Sequence, residues 1–318
     1  MSGKSFVLAL DTSNYTTSVA LVSTDGELVL NLKKLLPVKE GERGLRQSDA
    51  VFHHTAAIPE LVSEIRQYTE GGAIVAVGVS DRPRNVEGSY MPCFLVGLAI
   101  AEGIAASLSV PLYKFSHQCG HIMAALYSAG VWQSIPSPLA AFHISGGTTE
   151  LVRVLGQDGG FLTELVGGTA DLNAGQVIDR IGVRMGLAFP AGAELEKLAL
   201  TNDKKIPSRK VTSANMSVNL SGLENMAVKL YSDTGDKALV SAFVLDYVGR
   251  AIIAMSEEYE QNFGKSRFVY AGGVMSNSII KKMLSERFDA FFAEPKLSSD
   301  NAVGVAVLAL QKYKTEIA

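Results

Sequence analysis

Cysteine is scarce in this 318-residue chain, which has only Cys93 and Cys119. Two thiols in a chain of this size argue against a disulfide scaffold and for a reducing, cytoplasmic setting. A surplus of positive charge is missing too: 29 Lys and Arg stand against 32 Asp and Glu, a formal net charge of -3. The molecule as a whole is a poor electrostatic match for nucleic acid, so RNA would be met through a local patch or a partner. The best local candidate is TNDKKIPSRK, with Lys204, Lys205, Arg209 and Lys210, whose plainer meaning is a solvated loop. The amino terminus, MSGKSFVLAL, has one Lys and a strand-like run broken by Asp11, which is not the pattern of a signal peptide. No apolar run reaches the length of a membrane span. The longest, Phe94 to Val110, is interrupted by Glu102 and reads as a buried helix, so no membrane partner is expected.

A hydrophobic fraction of 47% with 19% charged residues describes a well-packed globular enzyme, and the length suggests two domains of about 150 residues. The chain also repeats itself. VLALDTSNYTTSVALVSTDG near the start and LAAFHISGGTTELVRVLGQDGG from Leu139 each run a strand into a Ser/Gly/Thr turn. Each then returns through a β-branched stretch and closes on Asp-Gly, at Asp25-Gly26 and Asp158-Gly159. Alternating apolar residues bounded by small turn residues predict strands, and Asp-Gly predicts a hairpin. A repeat half a chain apart points to a duplicated domain.

Between the repeats, apolar residues at helical spacing follow HHTAAIPE, with Pro59 as an early interruption. AIVAVGVS reads as a strand, DRPRNVEGSYMP as a loop, FLVGLAIAEGIAASLS as a helix and VPLYKFS as a strand. The second half repeats this in outline. A long helix covers KALVSAFVLDYVGRAIIAMSEEYEQNF, FVYA is a strand emptying into Gly272-Gly273, and DNAVGVAVLALQKYK is a closing helix opened by Asp300. The economical architecture is two α/β domains with a cleft between them, the first lobe at 1–125 with the closing helix 300–318 packing back on it and the second at 126–299.

His117 and His121 in HQCGH are four residues apart, so on a helix they share one face and can grip one metal ion. Asp300, at the mouth of the last helix, is the carboxylate expected to complete the set. A zinc peptidase would need Glu directly after the first His as its base. Gln118 stands there, and an amide cannot accept the proton. The second cluster is glycine-based: Ser145-Gly146-Gly147 and Gly272-Gly273 can bring backbone N–H groups close to an anion. Asn277 could meet a base or ribose, and Asp179, Gly192 and Glu196 frame a turn that places carboxylates for ribose hydroxyls. Three such loops in one half of a duplicated fold point to a nucleotide.

HISGGTTELVRV, DLNAGQVIDRIGVRMGLAFPAGAELEKLA, LSGLENMAV, AGGVMSN and SSDNAVGVA occur in the order and spacing of the tRNA adenosine threonylcarbamoyltransferases (TsaD), once misnamed O-sialoglycoprotein endopeptidases. HQCGH resembles that family's metal-binding helix, and the resemblance spans nearly the whole chain. It implies two duplicated actin/Hsp70-like α/β lobes of the ASKHA, ribonuclease H-like class with a nucleotide and metal cleft between them, 126–299 being the nucleotide-binding lobe. It also implies transfer of a threonylcarbamoyl group from threonylcarbamoyl-AMP to N6 of the adenosine next to the anticodon in tRNA. By resemblance His117, His121 and Asp300 are ligands of one iron or zinc ion. His143, Ile144, Ser145, Gly146 and Gly147, with Asp179, Gly192, Glu196, Gly272, Gly273 and Asn277, form the pocket for an adenine nucleotide: threonylcarbamoyl-AMP, AMP or ATP. Asp11, in the loop that faces the reacting group in this fold class, is the candidate catalytic acid or base. The partners implied are tRNA, a TsaB-like paralogue and a TsaE-like ATPase.

The departures from the family pattern are local. Cys119 stands for a Glu, Thr148 for the His of SGGHT, Gln176 for a Glu, PAGA at 190–193 for PGGP, DTSNYTT for ETSCDET and HHTAAIPE for the GGVVPE segment. They keep open a diverged paralogue. Such a protein would be a carbamoyl- or acyltransferase or an ATP hydrolase with another acceptor, or a non-catalytic nucleotide-binding subunit.

Overall fold

The computed structural model describes residues 4–13, 15–37, 45–135, 137–157, 159–298 and 301–318. The chain divides into two compact units, one of Met1–Ile135, Leu155–Glu164 and Lys296–Ala318, the other of Pro136–Val154 and Leu165–Pro295.

The first unit holds strands β1 (Ser5–Ser13), β2 (Thr16–Ser23) and β3 (Leu28–Leu35), helix α1 (Gln47–Tyr68), β4 (Ala73–Arg82), α2 (Phe94–Leu108), β5 (Leu112–Ser116) and α3 (His117–Ser128). Its sheet runs β3-β2-β1-β4-β5, antiparallel on the β2 side and parallel on the β4 side. The central strand β1 is buried along nearly its whole length, which is why it reads as an unbroken apolar run rather than an alternating one. Phe6, Leu8 and Leu10 face a core built with Ile58, Leu61 and Ile65 of α1 and Ala101 and Ala105 of α2. α1 continues through Pro59 for 22 residues, so the interruption expected there does not end the helix. Asp25-Gly26 closes β2 onto β3, with Gly26 at φ +93°, where an L side chain is strained.

The second unit's sheet is built on β6 (Leu139–Ile144), β7 (Thr149–Gln157) and β8 (Gly160–Thr169), of which residues 155–164 at the β7–β8 connection count with the first unit, followed by α4 (Ala174–Arg184), α5 (Gly192–Leu200), β9 (Ser217–Val218), α6 (Ser221–Thr234) and α7 (Lys237–Phe263). β10 (Arg267–Ala271), α8 (Ser278–Ser285) and β11 (Ala290–Phe292) complete it. The sheet order is β11-β10-β6-β7-β8-β9. Its opening meander repeats β1-β2-β3, the duplication the two similar segments announce. Asp158 of the second Asp-Gly pair lies outside the described residues, and Gly159 takes φ +72°. α7 is long and apolar enough to cross a membrane, but most of it is buried in this unit's core with Phe142, Phe268 and Tyr270.

Short α9 (Pro295–Ser298) straddles the boundary, the first unit resuming at Lys296, and α10 (Val303–Ile317) belongs to the first unit, where it packs on β1, β4 and α3 with Val303 through Leu310 fully buried. A Cβ on Gly304 would come 1.8 Å from the Gly120 carbonyl oxygen, so α10 crosses α3 almost backbone to backbone.

Candidate metal and nucleotide sites

β5 ends and α3 begins without a linker, and Ser116 caps the helix by accepting the Cys119 N–H at 3.2 Å. His117 and His121 therefore share a face, as the spacing requires, with ring centroids 4.4 Å apart and their Nε2 atoms 2.9 Å apart. Asp11 near the end of β1 is completely buried and accepts from His117 Nδ1 at 2.7 Å. Its other oxygen accepts the Ser13 N–H at 2.8 Å. A carboxylate on Nδ1 holds the ring proton there and turns the Nε2 lone pair toward His121, the arrangement a metal-ligating imidazole needs. Two nitrogens bound to one tetrahedral zinc at their usual bond lengths lie about 3.3 Å apart. The observed pair would open by only a few tenths of an ångström, so these residues fit a cation of that kind. Among the described residues no third His, Cys, Asp or Glu joins them in a metal-holding set. Asp300, the expected third ligand, lies outside the described residues. Asp11 is behind the ring, so the proton it controls is the one on His117 Nδ1.

Cys119, the residue that replaces the family's Glu, faces away from this pair. Its Sγ accepts from Asn85 Nδ2 at 3.1 Å and lies 3.9 Å from the Phe161 carbonyl oxygen. Asn85 Nδ2 also reaches Thr163 Oγ1 at 3.3 Å, and Thr163 Oγ1 donates to Gln118 Oε1 at 3.0 Å. Burial pushes the Cys119 thiol above its ordinary pKa, against the opposing effect of hydrogen bonds from Ser116, Asn85 and Thr163. It is a neutral packing residue that ties α3 to the loop after β4, which Gln118 N–H also grips through the Pro83 carbonyl at 3.0 Å.

In the second unit the β6–β7 turn carries Ser145-Gly146-Gly147, following His143 and Ile144. Ser145 N–H donates to the Thr148 carbonyl at 2.8 Å, closing the turn, and nothing lies within 4 Å of a Cβ built on Gly146 or Gly147. The start of α4 abuts this turn. A Cβ on Gly175 would fall 2.6 Å from the Ser145 oxygen and 2.7 Å from the Gly146 nitrogen, while Thr149 Oγ1 accepts the Ala174 N–H at 2.9 Å. Gly175 escaped the sequence reading, although a glycine in the first turn of a predicted helix is a signal of close approach. Gly272 has φ +97° and a missing Cβ that would strike the Ile144 oxygen at 2.3 Å, and Gly273 faces open space. The structure thus joins the two glycine loops along β6 and β10, which pair in parallel.

The polar candidates are committed to the chain itself. Asp179 accepts the Ala191 N–H at 2.8 Å, and burial raises its pKa against that bond. This fixes the 190–193 turn that leads through Gly192 into α5. Glu196 Oε1 accepts the Ser278 N–H at 2.7 Å and its hydroxyl as well. Asn277, expected to meet a base or ribose, turns its oxygen onto the Ile279 and Ile280 N–H groups, both at 3.1 Å, as the cap of α8. Only its amide nitrogen is left for such a contact. Of the basic segment, Lys204 pairs with Asp236 at 2.6 Å and Arg250 holds the Arg209 carbonyl at 2.8 Å, while Lys205, Arg209 and Lys210 are exposed.

Residues 39–307 match the family profile described as TsaD, tRNA N6-adenosine threonylcarbamoyltransferase. The chain is 28% identical over 321 residues to the tRNA N6-adenosine threonylcarbamoyltransferase of Neorickettsia sennetsu, covering 97% of this chain and 94% of that one. It is 29% identical to the protein of that name from Syntrophotalea carbinolica, covering 95% and 90%. Among solved structures, component A of (R)-2-hydroxyglutaryl-CoA dehydratase from Acidaminococcus fermentans superposes with a TM-score of 0.57 at 15% identity, over 97% of this chain and 99% of that one. That likeness concerns the fold, which is of the ASKHA type.

Proposed function

Since the chain belongs to the tRNA N6-adenosine threonylcarbamoyltransferase family of transferases, we propose that it moves a threonylcarbamoyl group from threonylcarbamoyl-AMP to N6 of the adenosine beside the anticodon in tRNA. N6 attacks the carbamoyl carbonyl carbon and loses a proton, the bond from that carbon to the phosphate oxygen breaks, and AMP leaves with the electron pair. The observation that carries this reading is the imidazole pair on α3, held in one tautomeric order by buried Asp11. His117 and His121 would hold a divalent iron or zinc ion, with Asp300 as third ligand, and the ion would supply Lewis acidity toward the phosphate or carbonyl. The backbone N–H groups of Gly146 and Gly273, beside which a Cβ would meet open space, would bind the phosphate together with Ser145, whose hydroxyl oxygen accepts the Gly147 N–H at 3.4 Å; fixed donors of this kind stabilise a leaving anion without reorganising. tRNA would be delivered with help from a TsaB-like paralogue and a TsaE-like ATPase.

The test is direct. Incubation with threonylcarbamoyl-AMP and unmodified tRNA, with those partners, should yield the modified nucleoside, and its absence would remove the reading. Purified protein should carry about one equivalent of iron or zinc, and His117→Ala should remove it. A second reading is favoured by Cys119: a neutral thiol where the family has an acid alters the helix beside the metal pair. On that reading the protein is a diverged paralogue with another acceptor, or a nucleotide-binding subunit, and AMP would bind without transfer to tRNA.

A further inference from the structure

α1 contributes a second buried histidine that the reaction described above does not use. His54 lies in HHTAAIPE, the segment that departs from the family's GGVVPE, and it is fully buried. Its Nδ1 is 2.8 Å from Thr17 Oγ1 in β2. Burial drives the imidazole down to about 4, against the raising effects of the Asp11 charge and the Ser13 backbone and with a small lowering from His53. At neutral pH it is therefore an uncharged hydrogen-bonding group.

The register explains what this bond controls. Thr17 pairs with Thr12 across β1 and β2, and Ser18 pairs with Asp11. Successive side chains in a strand point to opposite faces, so Thr12 and Thr17 share the face covered by α1 and α2, while Asp11 points to the other. Thr12 Oγ1 donates to the Cys93 carbonyl at 2.9 Å and accepts the Gly97 N–H at 3.1 Å, which ties β1 to the start of α2. Thr17 with His54 ties β2 to α1. On the other face Ser18 Oγ donates to the Asp11 carbonyl at 3.3 Å. The two strand ends flanking Asp11 are thus clamped from beneath by one threonine each, and one of the two clamps is His54.

We propose that His54 is a positioning residue which, through Thr17, keeps Asp11 against His117 Nδ1 and so sets the tautomer of the imidazole pair. Its consequence for a bound cation rests on the metal reading given above, whereas its consequence for the His117 ring does not. In the intact protein with 15N-labelled histidines, wild type should show His117 as a fixed Nδ1–H tautomer. His54→Leu should convert that signal to the averaged pattern of a mobile imidazole, and His54→Asn, which keeps a polar group toward Thr17, should restore it. Thr17→Val removes the same bond with little change of shape and should reproduce the effect if His54→Leu folds poorly. Zinc affinity should fall about tenfold in His54→Leu and in Thr17→Val, the scale of losing a group that orients a ligand, with no further loss in the double variant. An unchanged His117 signal in both variants overturns the proposal. Wild type that binds no zinc overturns the metal reading instead and leaves the His117 signal to judge His54.

Discussion

Asp171 shows how much one side chain can organise. Its two oxygens receive the Leu220 N–H at 2.7 Å, the Ser221 N–H and hydroxyl at 3.1 and 2.5 Å, and the Leu172 N–H at 2.6 Å, which joins the end of β8 to the start of α6. Partial burial pushes its pKa up, but these donors outweigh it and hold the carboxyl at about 2. A carboxyl depressed in the folded state stabilises above its unfolded pKa of roughly 4 and loses that contribution as pH falls toward 2. Because the residue is exposed, solvent screening reduces the contribution to about 1 kcal/mol. Urea unfolding should therefore show wild type more stable than Asp171→Ala by a constant margin above pH 5, shrinking between pH 4 and 2. Asp11→Asn is the sharper probe of function. It removes the acceptor that holds the His117 proton and should weaken zinc binding about 10–100-fold with little change in Tm, as calorimetric titration would reveal. His117 and His121 are legible in the sequence because helical spacing alone puts them together. Their partner Asp11 is 106 residues away, and no local pattern pairs it with a ring.

At the scale of elements, the decisive contacts are between helices whose approach glycines permit. Gly304 of α10 lies against the Gly120 carbonyl of α3, between the two histidines in sequence. Gly304→Ala should push the helices apart, lower stability by about 1–3 kcal/mol, and weaken zinc binding together with Tm. Gly175→Ala should act on the other site: a methyl there meets the Ser145 oxygen and Gly146 nitrogen, so the β6–β7 turn must shift. AMP affinity measured by calorimetry should fall while the zinc affinity of His117 and His121 stays at the wild-type value. The strands and most helices follow from periodicity and turn residues. α1 is the instructive departure, since Pro59 suggests a break. The helix continues because Ala57, Ile58, Leu61 and Ile65 are buried against the sheet, and that burial outweighs one missing N–H.

For the whole molecule, the large buried clusters among the described residues include one centred on β1 with α1 and α2 and one on β6 and β10 with α7. The first unit also depends on α10, whose residues Val303 through Leu310 are fully buried against β1, β4 and α3. A chain ending at residue 302 should therefore lose the first unit's protease resistance. Limited proteolysis should cut within residues 45–128 while the α7 region stays protected.

The amino-acid sequence by itself determined the duplicated meander, the alternation of strands and helices, the pair of imidazoles on one helical face and the glycine turns. Each of these is written within a few residues, where backbone preference and side-chain period decide the outcome. Tertiary structure alone decided that Asp11 orients His117, that Asn277, Asp179 and Glu196 serve the chain's own N–H groups, and that His54 reaches Thr17. Those choices depend on which buried polar atoms meet after distant strands and helices pack, because a buried donor or acceptor must find a partner wherever the fold places one.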